Sequence, residues 1–138
     1  MGRLRQFFIA PGPEGTPLPT APSPWHWDRF AKFPMEHWDA VLDFAETIDA
    51  EKTETLRRYS CTPDEGTLPP RDELQEMLNF IQRLERAISE SPPLVPEANE
   101  LFPENYPNFE HSNMLEAVAA VLSESQRLHE PFKADADT

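Results

Sequence analysis

The stretch that decides the fold is PMEHWDAVLDFAETIDAEKTETLRRY, from Pro34 to Tyr59. Trp38, Val41, Leu42, Ala45, Ile48, Leu56 and Tyr59 recur at helical spacing and fall on one stripe. Glu36, Asp39, Asp43 and Glu46 fall on the opposite side, three to four residues apart. The spacing predicts one amphipathic helix over 35–59. One face enters a core, and the other shows a ladder of carboxylates.

Outward from this helix, proline sets the boundaries. Proline fixes φ and removes a backbone donor, so it collects between elements. The chain has 138 residues, 16 prolines and 4 glycines. The prolines cluster at 11–24, 63–70, 92–107 and 131, leaving 35–62, 71–91 and 108–130 free of them. Over 71–91, Leu74, Met77, Leu78, Ile81, Leu84 and Ile88 form a second helical stripe. Pro70 suits the first turn there, and Asp72 and Glu73 complement the helix dipole. A third helix is expected over 112–130, capped by Asn113 with Glu116 or by Ser112. Its broad face carries Met114, Leu115, Val118, Val121, Leu122, Ser125, Leu128 and His129.

The expected fold is mainly α: a three- to four-helix antiparallel bundle with an extended Pro-rich N-terminal arm and room for one short strand. A single helical domain covers 1–138, with the arm at 1–34, the helical body at 35–130 and a frayed tail at 131–138. Core candidates are Trp38, Leu42, Ile48, Leu74, Leu78, Ile81, Leu115, Val118 and Leu122. Residues 3–10, RLRQFFIA, read as the strand. It either pairs with a late extended segment or lays Phe7 and Ile9 over the helices. Residues 11–24 read as an extended connector. Residues 25–33, WHWDRFAKF, concentrate four large rings, with a short helix expected from Asp28 to Phe33. That segment plugs the main helix or anchors an interface. The 92–109 connection is long, apolar-studded and acidic through Glu97, Glu100 and Glu104.

Lys plus Arg is 12 and Asp plus Glu is 25, a net charge of −13 with neutral His. Phosphate backbones and anionic membranes are repelled by such a chain, which argues against nucleic acid and membrane as partners. A basic protein partner is favoured by charge complementarity. Cys61 is the single cysteine and sits in a loop-like segment, which excludes an internal disulfide and suits a reducing, cytoplasmic setting. The apolar run near the N-terminus is too short for a signal peptide, and no segment reaches transmembrane length.

Catalytic and cofactor signatures are missing. His26, His37, His111 and His129 show no i,i+3 or i,i+4 pairing, so no metal is expected. His129 reads as a histidine at the edge of the core. Four glycines leave no phosphate cradle, and no GxSxG occurs. No enzymatic activity and no cofactor are therefore expected. The ladder of Glu36, Asp39, Asp43 and Glu46 reads as a solvated face or a docking face. As a docking face it neutralises cations of a partner, or the chain's own Arg3, Arg5 and Arg127. With the acidic loop residues Glu97, Glu100 and Glu104, it is the candidate partner-binding surface.

The catalytic silence, the acid ladder Glu36/Asp39/Asp43/Glu46 and amphipathic helices such as HSNMLEAVAAVL (His111 to Leu122) resemble small acidic bacterial immunity proteins. Proteins of that class bind and inactivate a toxin domain inside the producing cell. The resemblance implies neutralisation by occlusion of a basic cleft, with a nuclease toxin as one such target. A second reading is a structural or adaptor subunit, which forms homo-oligomers through apolar helix faces and the Trp25/Trp27 cluster.

Overall fold

The computed structural model describes residues 4–12, 26–27, 29–92, 94 and 109–137, with backbone alone for His26, Trp27, Phe30, Phe109 and Glu110. In chain order the elements are β1 (Arg5–Ile9), β2 (His26–Trp27), β3 (Phe30–Pro34), α1 (Met35–Ile48), α2 (Ala50–Tyr59), α3 (Arg71–Ser89), α4 (Phe109–Leu128) and β4 (Lys133–Asp137). The described fold is mainly α with a small antiparallel sheet, strand order β2-β3-β1-β4.

The predicted 35–59 helix is two helices. Asp49 leaves helical geometry at φ −157° and ψ 99°, and its carboxylate accepts the Lys52 N–H at 3.0 Å. A short acidic side chain at this place caps a new helix more favourably than it continues the old one. The apolar stripe registers the break, since no large apolar residue falls between Ile48 and Leu56.

The N-terminal region also differs from expectation. The short helix from Asp28 to Phe33 is replaced, over its described part, by strand β3, because six residues cannot offset helix nucleation and Pro34 biases Phe33 toward extended backbone. Ala31 and Phe33 point into the core while Lys32 does not, the alternation of a strand covered on one face. One expected strand thus becomes a four-stranded sheet. Its central strand β1 pairs antiparallel with β3 on one side and β4 on the other, in the register Phe8↔Ala31 and Phe8↔Ala134.

The tail expected to fray is β4. Its Ala134 is buried opposite Phe8, and its other side is held by the loop after α2. The Thr62 N–H donates to the Ala134 carbonyl at 2.8 Å. Thr67 and Phe132 exchange backbone hydrogen bonds of 2.9 and 3.1 Å. Gly66 makes this approach possible. Its φ is +83°, and a Cβ there would meet the Phe132 carbonyl oxygen at 2.5 Å.

The helices cover one face of the sheet. Trp38 of α1 packs edge-on against Phe8, with ring centroids 5.5 Å apart, and lies 5.3 Å from Phe33. Its indole N–H donates to the Ser60 hydroxyl at 3.1 Å, so the ring's polar atom is satisfied where it is buried. Buried Gln6 donates to the Ser60 carbonyl at 2.7 Å and the Asp135 carbonyl at 3.2 Å, tying β1 to the α2 end and to β4. Helices α3 and α4 pack along each other through their apolar stripes. Of the expected core, Trp38, Leu42, Leu74, Ile81, Leu115, Val118 and Leu122 are buried, while Ile48 and Leu78 are partly buried against it. Helix α4 begins at Phe109, ahead of the expected caps at Ser112 and Asn113. His129 lies beyond its end, exposed and with φ 54°, outside the core edge where the stripe had put it.

Full burial of a large apolar side chain stabilises by about 1.5–3 kcal/mol. An exposed ion pair contributes below about 1 kcal/mol. The stripes therefore hold the helices in place, and the charged faces are left available for other roles. No described helix is long and apolar enough to cross a membrane.

Candidate functional site

Glu36, Asp39, Asp43 and Glu46 are all exposed, on the side of α1 turned away from Trp38, Val41, Leu42 and Ala45. The helix break gives this ladder a partner that a continuous helix would have carried away. Arg57 of α2 brings Nη2 to 2.5 Å from Glu46 Oε1 and 3.7 Å from Asp43 Oδ1. The hydrogen bond to Glu46 raises the Arg57 pKa above its usual value, with Asp43 adding to it against partial burial. The ladder's C-terminal half thus binds a guanidinium of its own chain. Of the expected internal partners, the two that are described do not pair with the ladder. Arg127 pairs with Glu124 at 2.7 Å, Arg5 is exposed on β1, and Arg3 lies outside the described residues.

The other half of the ladder borders a shallow, open hollow of about 330 Å³, lined by Leu4, Pro34, Met35, Glu36 and Asp39. Leu4 is 54% exposed at its edge. Apolar surface here lies directly beside carboxylate.

His37, next to the ladder, meets His111 at the start of α4. Nδ1 of His37 and Nε2 of His111 are 3.0 Å apart, and the ring centroids are 5.1 Å apart. A centroid separation so much longer than the nitrogen separation means the two nitrogens face one another and share one proton. His111 is 2% exposed, and its Nδ1 has no hydrogen-bond partner among the described residues. Burial, then the neighbouring His37, lowers the His111 pKa to about 4, so its ring is neutral at pH 7. The pair fixes the start of α4 beside the acid face of α1. Its members are 74 positions apart, a separation at which no helical spacing rule operates.

The acidic loop residues Glu97, Glu100 and Glu104 lie outside the described residues, as do Trp25 and the side chain of Trp27. Among the described residues, no group of three or more His, Cys, Asp and Glu side chains gathers to hold a metal ion. Cys61 is exposed, with Sγ 3.8 Å from Asp135 Oδ1, and no histidine lines the hollow of about 260 Å³ beside it. In that hollow the Tyr59 hydroxyl donates to Glu73 at 3.1 Å, and burial followed by the Glu73 charge raises its pKa.

Two acidic groups away from the ladder depart from ordinary behaviour. Burial, reinforced by Glu116, pushes Glu85 of α3 up to about 7. Glu124 of α4 is held below the usual carboxylate range by its hydrogen bond from Arg127, with Arg29 adding to the effect against burial. Arg29 and Glu124 are both buried, and Arg29 also donates to the Pro11 carbonyl at 2.5 Å. This is a structural clip between the turn before β3, the end of β1 and α4. A scan of family models, a search of curated proteins and a search of solved structures found no match to this chain.

Proposed function

We propose that this protein is a non-catalytic, acidic binding protein that neutralises a basic protein partner through the exposed carboxylates of α1. It acts as an immunity- or antitoxin-type inhibitor does, by laying carboxylates over a cationic cleft of a toxin domain. The observation that carries the reading is the seating of Arg57 on Asp43 and Glu46. The chain's own guanidinium occupies that part of the face as a partner's arginine would occupy Asp39, which is exposed one turn earlier. The net charge of −13 extends the attraction and speeds encounter with a basic surface.

Glu97, Glu100 and Glu104 belong to the same proposal by their charge. For the adaptor reading, the apolar stripes of α1, α3 and α4 are buried within the chain, and its other support, the Trp25/Trp27 cluster, lies outside the described side chains.

The test is affinity capture of the partner followed by binding kinetics with the purified pair. Asp39→Lys should slow association with a basic partner, and added salt should erase the difference between variant and parent. A captured partner that is not basic, or whose association ignores both Asp39→Lys and salt, would falsify the proposal.

A further inference from the structure

The helices cover one face of the sheet, and among the described residues no element packs on the other face. Alternation along β1 puts Gln6 and Phe8 inward and Arg5, Phe7 and Ile9 outward. Register brings Lys32 and Asp135 level with Phe7, on either side of it. Pro34 and Asp137 flank Arg5 in the same way, and Lys133 lies beside Ile9. Ile9 is 37% exposed, and Phe7 is partly exposed at the centre. Among the described residues, the charged groups here are Arg5, Lys32 and Lys133 against Asp135 and Asp137, so this face is nearly balanced in a chain whose net charge is −13. Two copies of so acidic a chain repel each other through most surfaces, and a balanced face is where they can meet.

We propose that this face is the docking surface for a second copy of the chain, forming a two-fold dimer with sheet packed on sheet. A two-fold axis parallel to β1 superposes the two central strands. It lays the β3 side of one copy over the β4 side of the other, as an isologous interface requires. Phe7 then meets Phe7 and Ile9 meets Ile9. Lys32 of each copy lies over Asp135 of the second copy, so the same complementary pair forms twice. The Arg5 residues meet at one end, each with Asp137 as its register neighbour on β4. Lys32 already reaches across its own sheet to Asp137 at 3.1 Å, which shows that its ammonium group lies over this face. Paired sheets stack about 10 Å apart, a gap that Phe7 and Ile9 side chains fill. The ladder is on α1, which packs against the sheet's other face, so dimerisation leaves it open and does not depend on the proposed function.

Sedimentation velocity over a wide concentration range tests the proposal on the full chain. A monomer–dimer equilibrium is expected. Lys32→Asp should weaken the dimer about tenfold or more, and combining it with Asp135→Lys should restore it, because the swap preserves the pairing between copies. Ile9→Glu should abolish the dimer while leaving the circular dichroism spectrum unchanged. If Ile9→Glu fails to fold, the two charge variants at Lys32 and Asp135 decide the outcome. A chain that stays monomeric throughout, or a dimer indifferent to Lys32→Asp, overturns the proposal.

Discussion

Arg29 and Glu124 are 95 positions apart and meet as a buried ion pair, with side chains 9% and 5% exposed. Arg29 stands immediately before β3, and Glu124 lies in α4. Their contact fixes the sheet to that helix. Glu124 also accepts from Arg127 at 2.7 and 2.9 Å, so its carboxylate is shared between two guanidinium groups. Removing one member of a buried pair leaves an uncompensated charge and costs about 3–5 kcal/mol. Arg29→Met should lower stability by that order in urea unfolding. Arg29→Met with Glu124→Leu should recover most of the loss, since both desolvation penalties disappear together.

His111 makes stability fall on acidification. Its folded pKa, about 4, lies below the ordinary value of 6.5, so the unfolded chain binds more protons between those values. Stability is full above pH 6.5 and is lost as pH falls toward 4, by about 3 kcal/mol at most. His111→Phe should flatten this part of the profile. Denaturant midpoints measured from neutral to acid pH, parent against variant, provide the check.

Glu85 has the opposite sign. Its folded pKa of about 7 lies above the ordinary 4.5, so the folded chain binds more protons in that window. Its contribution is full at low pH and is lost as pH rises through 7. The group is only half-buried, and solvent screening holds the effect to about 1 kcal/mol. Glu85→Gln should therefore raise the unfolding midpoint at pH 8 and change little at pH 4.

Gly66→Ala should destabilise by about 1–3 kcal/mol, because the residue has φ +83° and a Cβ would press on the Phe132 carbonyl. The damage should concentrate at the C-terminal strand. Hydrogen exchange of the backbone N–H groups of Phe132 and Ala134 should accelerate more than that of α3.

Arg57→Gln separates stability from binding. The ion pair is partly exposed, so its loss should change stability by less than about 1 kcal/mol. Asp43 and Glu46 are then released, and association with a basic partner should quicken. A slower association in stopped-flow measurements would show that Arg57 assists docking instead of competing with it.

Apolar periodicity was enough to place α1, α3 and α4 and most of their buried residues, because helix amphipathicity is a local property that proline-bounded windows preserve. The exposed ladder of Glu36, Asp39, Asp43 and Glu46 was legible for the same reason. The break at Asp49 had a local signal too, an N-cap residue followed by a gap in the stripe. The strand within 3–10 was legible as well, from its β-favouring Phe7, Phe8 and Ile9, and tertiary structure alone decided the remainder. Lys133–Asp137 is rich in Asp and Ala, which disfavour strands, and it is extended because β1, at the other end of the chain, offers it an edge to pair with. The meetings of Arg29 with Glu124 and of His37 with His111 likewise join segments far apart in the chain. Side-chain periodicity reports which face of an element is buried, and it carries no information on which distant element covers that face.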